Sequence, residues 1–410
     1  MTKANCFLGI DVGKFNHQAS LIDDQGNLIG CSIRFANNLS SFERFLAEIK
    51  KRLPEKAILK VGLESTGHYW FNLRNFLNKN GFSSIEVFNP IETRERAKKR
   101  IRKVKNDRID SLEIAKMIKE RKEEESFVWP ENLRKLKNLT RFSEKLKSQE
   151  KFFKREIVNL LERIWPEFKG FFSNLFLTSH LVILENLEKM ATIKEEEFSQ
   201  LLKESSRQRI NKEKAKKILD SFKESIGQEL RDEFSFLQLR ILLENLKLIQ
   251  SQVKEVKEKI NEFSKNFPVI NEIKKSQKGL SCYLSSICLA EIGEIERFSS
   301  PEKLVAFAGL DPSVYQSGSY YRQRGNHISK RGSKYLRKAL YYAAKTAVIF
   351  DPQFKTFYQK KKLQGKHYNV IIIAVARKIL VRIYHLLKQK RLDTLNTSQV
   401  FSLTNPLTVS

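Results

Sequence analysis

The stretch CFLGIDVGK, residues 6 to 14, is a short apolar run that ends in an acid and a glycine. An apolar run of this length, bounded by a turn residue, predicts a buried β-strand. Two further strands are predicted directly after it, in HQASLID (17 to 23) and in NLIGCSIRF (27 to 35), which are separated by a D-D-Q-G-N turn signal. The chain therefore begins with three short strands.

The pattern then changes to strands that alternate with helices. AILKVGLE (57 to 64) and SIEVFNP (84 to 90) read as strands, and amphipathic helices are predicted at about residues 40 to 51 and 67 to 80. A chain in which strands and helices alternate builds an α/β sheet domain. We therefore predict an α/β N-terminal domain over residues 1–125.

Residues 126–267 have a different character. Glycine and proline are scarce, and apolar residues recur at spacings of three and four, as in the run from Leu237 to Phe263. This spacing predicts long helices of the coiled-coil type. They could form a helical bundle inside one chain. We favour helices that also make a contact between two protomers.

The C-terminal part is mixed, and mostly helical. We predict a third domain over residues 268–391, with a glycine-, serine- and tyrosine-rich loop at 311–334 and basic helices after it. Residues 392–410 are predicted to be a frayed tail.

The charge of the chain points to a polyanionic partner. The 410 residues contain 76 Lys and Arg against 47 Asp and Glu, which leaves a net charge of +29. Nucleic acid is the expected partner for such a surplus. No apolar run approaches the roughly 20 residues of a membrane-spanning helix, and the N-terminus shows no signal-peptide core. We therefore expect a soluble intracellular protein that is not associated with a membrane.

Other chemistries lack their motifs. The four cysteines are isolated and form no CxxC pair, so neither a structural zinc site nor a disulfide framework is expected. No GxxxxGK[ST] motif is present, so an ATP-driven motor is not expected. An enzyme that rejoins DNA strands would then have to conserve the energy of the phosphodiester bonds.

Four carboxylates are placed where they need a cation. Asp11 and Glu64 each follow a buried apolar run, and an acid in that position is costly unless it is paired or binds a metal. Asp107 and Asp110 open a predicted helix and lie on one face of it. If the two strands are parallel neighbours, the four acids converge, and Mg²⁺ suits such a set because it takes carboxylate and phosphate oxygens. Each acid taken alone could instead be a helix cap or an ion-pair partner.

Two basic segments are candidates for phosphate contacts. The twelve residues from Arg94 to Lys105 contain eight Lys or Arg and one Glu, directly before Asp107. The segment from Tyr320 to Lys338 contains seven Lys or Arg, no acid and three interleaved tyrosines, which could stack on unpaired bases. A solvated basic face is the alternative. The candidate residues are Arg100, Arg102, Lys103, Lys105, Arg322, Arg324, Lys330, Arg331, Lys334 and Arg337.

Three motifs, GIDVGK, ESTGHYW and KNDRIDSLEIAKMI, occur in that order and together resemble the RuvC-like domain of the DEDD-type insertion-sequence transposases. These are relatives of the Piv and MooV DNA invertases and are described as bridge-RNA-guided recombinases. AGLDP (308 to 312) and ISKRGSKYLR (328 to 337) resemble the second domain of the same family. The resemblance extends over nearly the whole chain and is least specific in the central helices.

The resemblance implies a fold, a metal site and a nucleophile. It implies an RNase H-like N-terminal sheet, with Asp11, Glu64, Asp107 and Asp110 as ligands of Mg²⁺ or Mn²⁺. Ser317 is implied to be a nucleophile that holds DNA as a covalent phosphoserine ester, a step that keeps the bond energy. By residue chemistry alone Ser313, Ser319, Ser329 and Ser333 are rivals.

The resemblance also implies a cytoplasmic, nucleoid-associated location in a prokaryote. It further implies partners. These are donor and target DNA, a noncoding bridge RNA that pairs with both, and a homodimer or homotetramer in which Ser317 of one protomer meets the acids of another. The alternatives are a Holliday-junction resolvase or nuclease that uses only the acids, a DNA invertase, and a non-catalytic nucleic-acid-binding protein.

Overall fold

The chain forms two compact units, Met1–Val128 and Trp129–Ser410, in the computed structural model. The structure describes residues 5–55, 57–65, 67–82, 84–88, 92–93, 95–96, 107–121, 130–207, 209–313 and 327–403, the last thirteen of these by their backbone only. No helix in this described part is both long and apolar enough to cross a membrane.

The first unit contains a five-stranded mixed sheet in the order β3-β2-β1-β4-β5. The strands β1, β2 and β3 are antiparallel neighbours, whereas β4 runs parallel to β1 and β5 parallel to β4. This architecture confirms the α/β prediction and is compatible with an RNase H-like fold. The strands are β1 (Asn5–Val12), β2 (Asn16–Ile22), β3 (Ile33–Ala36), β4 (Ile58–Glu64) and β5 (Ile85–Phe88).

Helices cover both faces of this sheet. Side chains of α1 (Leu39–Arg52) and α2 (Trp70–Lys79) share an apolar core with one face, which includes Leu8 and Ile10 of β1. The opposite face packs against α3 (Asp107–Glu120), in a smaller core that contains Phe7. Residues alternate between the two faces along a strand, so Phe7, Gly9 and Asp11 lie on the side of α3.

Two glycines allow α3 to approach the sheet closely. A Cβ atom on Gly9 of β1 would lie 2.2 Å from the backbone of Ser111 and of Ala115 in α3. A Cβ atom on its strand partner Gly62 would lie closest to side-chain atoms of Phe88 and Ile114, at 2.9 and 3.0 Å, and would have ordinary contact with the backbone oxygen of Ile114 at 3.5 Å. Because a backbone cannot yield as a side chain can, Gly9 is the stricter requirement.

We predict different costs for two matched substitutions at these glycines. Gly9→Ala should lower the free energy of unfolding of the first unit by about 3 kcal/mol, since overpacking against a backbone forces the helix outward. Gly62→Ala should cost about 1 kcal/mol, because the Phe88 ring and the Ile114 methyl group can shift. Urea denaturation of the two variants measures this difference, and equal costs would contradict the role assigned to Gly9.

The second unit is built on two long antiparallel helices, α4 (Glu131–Ile164) and α9 (Glu233–Ser264), which pack against each other. At one end, the C-terminal part of α4 and the start of α9 enclose an apolar core around Trp165. Four shorter helices complete that core. They are α5 (Phe168–Phe171), α6 (Thr178–Glu185), α7 (Glu195–Ser205) and α8 (Lys212–Lys223).

A second core lies at the other end of the two long helices. Leu136 of α4 and Ile260 of α9 are buried there among the C-terminal helices. The last helix continues to Leu403, beyond residue 392, where the sequence predicted a frayed tail. The C-terminal helices that surround this second core are α10 (Pro268–Ser276), α11 (Cys282–Ile292), α12 (Pro301–Phe307), α13 (Lys334–Phe350), α14 (Pro352–Leu363) and α15 (Tyr368–Leu403).

The apolar spacing in the long helices is largely accounted for within one chain. Leu246 and Val253, which continue the stripe read from the sequence, are 0% and 5% exposed. Both side chains are buried within the unit, so they are not accessible to a second protomer. A contact between protomers stays a prediction, and residues other than these two would have to form it.

Candidate active site

Asp11 and Glu64 occupy equivalent positions on neighbouring parallel strands. The register pairs Gly9 with Gly62 and Ile10 with Leu63, so Asp11 and Glu64 follow side by side. Each lies two residues beyond a glycine that faces α3, and side chains two apart in a strand share a face. Both acids are half-buried. The expected arrangement, two strand ends that bring two acids to one edge, is therefore present.

The helix α3 begins beside that edge. Gly9 contacts Ser111 and Ala115 of α3. From this contact β1 continues to Asp11. In the opposite chain direction, α3 leads back to its first turn, which contains Asp107 and Asp110. Both aspartates are also suited to a helix N-terminus, where the backbone dipole favours negative charge.

A buried hydrogen bond fixes the helix at this height on the sheet. The hydroxyl groups of Ser20 on β2 and Ser111 on α3 lie 2.8 Å apart, and Ser111 is completely buried. Ser111 also donates to the carbonyl of Arg108, at 3.0 Å. The sequence did not single out this pair, and only the fold shows that Ser20 faces the helix.

The donor set fits a hard divalent cation by its chemistry, since it consists of carboxylates. Within the ranges that the structure describes, no three Asp, Glu, His or Cys side chains are close enough together to hold a metal ion. The fold thus brings the two strand ends and the helix start to one region without assembling a coordination sphere.

The basic run that precedes Asp107 lies mostly outside the described residues, and with it Arg100, Arg102, Lys103 and Lys105. One earlier arginine of the run is described. Arg96 donates to Glu113 at 3.0 Å and to Glu120 at 2.7 Å, both on α3. The start of the basic run is therefore tied to the helix that carries Asp107 and Asp110.

In the second unit the structure describes both ends of the predicted loop that carries Ser317. Residues 311–313 and 327–329 form a loop neck, in which Pro312 and Ile328 make an antiparallel bridge. The amide of Ser313 donates to the carbonyl of His327 at 2.7 Å, and the amide of Ser329 to the carbonyl of Asp311 at 2.8 Å. The neck holds the two ends of the loop side by side. Ser317, Ser319, Arg322 and Arg324 lie outside the described residues.

Positive φ angles shape the segments that flank the neck. Gly309 (φ +65°) lies so close to Arg331 that a Cβ atom would be 2.2 Å from its carbonyl oxygen. Gly332 (φ +83°) would place a Cβ atom 2.1 Å from the carbonyl oxygen of Phe307. Lys330 has a φ of 54°, which is uncommon for a residue other than glycine. Three residues with a left-handed backbone conformation thus allow the segments on either side of the neck to pack closely together.

The three described rival serines are all engaged in structural hydrogen bonds. The hydroxyl of Ser313 donates to the carbonyl of His327 at 2.7 Å, and that of Ser329 to the carboxylate of Asp311. Ser333 is buried, caps the N-terminus of α13 and donates to Glu291 at 2.8 Å. All three hydroxyls therefore contribute to the loop neck or to the start of α13.

The described basic candidates differ in exposure. Lys330, Arg331 and Lys334 are exposed, as a phosphate contact requires. Arg337 is half-buried and donates from Nη1 to the carbonyl of Ala308 at 3.0 Å. Arg337 therefore helps to hold the AGLDP segment, a structural role that the sequence did not predict.

A buried carboxylate connects this region to α4. Glu291 of α11 is completely buried and accepts two hydrogen bonds from Arg141, at 2.6 and 2.9 Å, besides the one from Ser333. Burial would raise the pKa of Glu291, but the hydrogen bond and charge of Arg141, with the charge of Lys137, hold it below its ordinary value. Burial also lowers the pKa of the neighbouring Lys137 to about 8.

Sequence reasoning missed this network, although a signal was available. Glu291 is the single charged residue of the helix CYLSSICLAEI. The rule that drew attention to Asp11, an acid within an apolar run, applies to it equally.

We predict that Arg141→Ala lowers the free energy of unfolding of the second unit by about 3 kcal/mol, because it leaves Glu291 buried with less compensation. A matched control is Lys135→Ala on the same helix. The Lys135–Glu131 pair is exposed on both sides, so its loss should cost less than about 1 kcal/mol. Chemical denaturation compares the two, and equal losses would contradict the importance of the buried pair.

Two family descriptions match this chain. Residues 8–166 match the DEDD-type IS110 family described as "Transposase", and residues 272–359 match "Transposase IS116/IS110/IS902 family". The two matches together span more than half of the chain and include every described candidate of both regions.

Individual relatives agree with these matches. The chain is 38% identical to the pilin gene-inverting protein of Moraxella bovis over 106 residues. These residues make up 25% of this chain and 32% of that protein. It is 22% identical over 147 residues to an IS110 insertion-element protein of Streptomyces coelicolor, 36% of each chain. The chain thus spans about a third of the length of these curated relatives. With both family matches in place, the protein belongs to the IS110-type family of DEDD transposases.

Proposed function

We propose that this protein is a DNA transposase or site-specific recombinase that depends on Mg²⁺ or Mn²⁺. It cuts and rejoins DNA strands through a covalent phosphoserine intermediate at Ser317. The observation that carries the proposal is the side-by-side position of Asp11 and Glu64 on parallel strands, with the start of α3 held over the same face.

The bound cation would neutralise charge on the phosphate that is cut. Asp11, Glu64, Asp107 and Asp110 would hold it, and a pair of ions roughly 4 Å apart is the common arrangement for phosphodiester cleavage. The rigid placement of the two strand acids supports this role, since a metal ligand on a strand is more precisely held than one on a loop.

The hydrogen bonds of the other candidate serines support Ser317 as the nucleophile. The hydroxyl groups of Ser313, Ser329 and Ser333 are used by the loop neck and by the start of α13. Attack by the Ser317 hydroxyl on a phosphodiester would form one phosphate ester and release one 3′ or 5′ hydroxyl, so the number of ester bonds is conserved. A later attack by another DNA hydroxyl reverses the step and frees the serine.

We further propose that a noncoding bridge RNA directs the enzyme to donor and target DNA, and that the active assembly is a homodimer or homotetramer. The net charge of +29 supports the binding of both nucleic acids. In this proposal base pairing supplies sequence selectivity, and the protein contributes backbone contacts and chemistry.

A DNA invertase is the second candidate function, because a relative in Moraxella bovis is named a pilin gene-inverting protein. The chemistry would be the same, and the DNA sites would differ in their orientation. A nuclease that uses only the acids is distinguished by its indifference to Ser317.

We predict that Asp11→Asn and Glu64→Gln each lower strand cleavage about a thousandfold, because loss of metal coordination removes several kcal/mol of transition-state stabilisation. Glu43→Gln on α1, an exposed acid, is the control and should leave cleavage unchanged. Calorimetric titration with Mn²⁺ gives an independent readout. Variants that bind Mn²⁺ and cleave as the wild type does would exclude these acids as ligands.

We predict that Ser317→Ala abolishes recombination and the covalent protein–DNA adduct while nucleic-acid binding persists. Thermal unfolding of the variant, compared with that of the wild type, checks that inactivity does not reflect unfolding. The measurement is a denaturing gel of protein incubated with labelled donor DNA, guide RNA and Mg²⁺.

The matched control is Ser319→Ala, two residues further along the same loop, which should retain the adduct. An adduct that disappears in the Ser319 variant and persists in the Ser317 variant would transfer the role to Ser319. Normal cleavage by both variants without any adduct would instead favour the nuclease.

A further inference from the structure

A cavity of about 310 Å³ opens between α4, α11 and α13. Apart from Tyr335 and Lys338, which lie at the end of the basic segment 320–338, its lining residues belong to none of the candidate sites above. Ligand pockets begin at about this size, so it can take one nucleotide-sized group and cannot take a duplex. Its lining combines lysines with tyrosine rings. They include Lys147, Lys151, Lys154, Lys338, Tyr283 and Tyr342.

The floor of the cavity is a closed polar network. The buried carboxylate of Glu144 accepts from Lys147 at 3.0 Å, from the hydroxyl of Tyr283 at 2.9 Å and from Lys338. Burial would raise the pKa of Glu144, but these partners hold it below its ordinary value. Its charge is therefore fully compensated and does not repel an anion above it.

The walls of the cavity carry a surplus of positive charge. The second carboxylate of the lining, Glu150, is paired with Lys154 at 2.6 Å. Lys151 is exposed at the rim and forms no ion pair with any residue that the structure describes. The four lysines against two compensated acids leave a net positive charge, which suits one phosphate group.

Aromatic rings supply a second kind of contact. Lys147 lies over the ring of Tyr283, 3.9 Å from its centre, and so covers one of its faces. Tyr342 is 42% exposed and is held edge-on against Tyr341, with 6.0 Å between the ring centres. An exposed tyrosine ring beside a lysine cluster is the arrangement that binds unpaired bases by stacking.

We propose that this cavity binds one unpaired nucleotide of a single strand, with its phosphate on the lysines of α4 and its base stacked on Tyr342. A base inside a duplex is stacked on both faces and cannot use the ring, so the ligand is a single-stranded or extruded nucleotide. The proposal rests on the proposed function only in taking nucleic acid as the partner. RNA and DNA share the chemistry, and the experiment distinguishes them.

The test uses the full-length protein and short single strands that carry one 2-aminopurine, in a ribo and a deoxyribo form, with a matched duplex. Stacking on a tyrosine quenches 2-aminopurine fluorescence, so wild-type protein should quench a single strand further. The fluorescence of the duplex is already weak because its bases are stacked, and it should not change. Quenching of only the ribo or only the deoxyribo strand would identify the RNA or the DNA as the occupant.

Two substitutions separate the two contacts. Tyr342→Ala should weaken single-strand binding about tenfold and remove the quenching, whereas Tyr342→Phe, which keeps the ring, should retain both. Lys151→Gln should lower the slope of log affinity against log salt concentration by about 0.7, the loss of one phosphate contact to a single strand.

Matched controls lie on the same helices. Lys145→Gln on α4 makes the same charge change away from the cavity, and Phe350→Ala removes an exposed ring at the far end of α13. Unchanged binding by the Tyr342 and Lys151 variants, or equal losses in the two controls, would overturn the proposal. Asp11→Asn should bind as the wild type does, so failure here is distinct from failure of the strand-cleavage proposal.

Discussion

The first unit depends on a contact between two backbones, that of Gly9 in β1 and that of Ser111 and Ala115 in α3. Because Gly9 has no side chain, the helix can lie directly on the sheet. Its first turn then begins near the ends of β1 and β4. The hydroxyl pair of Ser20 and Ser111 fixes the helix against sliding, since both groups are buried and a shift would leave the hydroxyl of Ser20 without this partner. The acids proposed as metal ligands lie on separate segments, and such a ligand set needs a rigid relation.

The second unit relies on a buried charge instead. Glu291 connects α4, α11 and the N-terminus of α13, through Arg141 and Ser333. A buried carboxylate with three well-aligned donors is directional, whereas apolar packing alone tolerates small shifts. The same helix start, with Gly309 and Gly332, forms the base of the loop that carries Ser317. We infer that this network keeps the two ends of the loop in a fixed relation.

The long helices show where a repeat in a sequence is ambiguous. Spacings of three and four state that one face of a helix is apolar, and they do not identify what covers it. In this chain α4 and α9 cover each other, and Leu246 is completely buried by that packing. Their two ends serve different cores, one around Trp165 and one among the C-terminal helices. A partner protomer is therefore not needed to explain the pattern.

The sequence by itself determined the strands of the sheet, the helix that starts at Asp107 and the position of an acid at the end of two strands, whereas the register of the sheet decided that these two acids lie side by side. The strands, the helix and the acid positions are local properties, because periodicity of apolar residues and the cost of an acid beside a buried run can be read within a few residues. It also directed attention to the family motifs and to the basic character of the chain. Only the tertiary structure decided that Arg337 holds a carbonyl, that Ser333 is buried against Glu291 and that lysines and tyrosines of three helices form one cavity. Those relations join residues up to 194 positions apart, such as Glu144 and Lys338, and no local pattern encodes which distant side chains will meet.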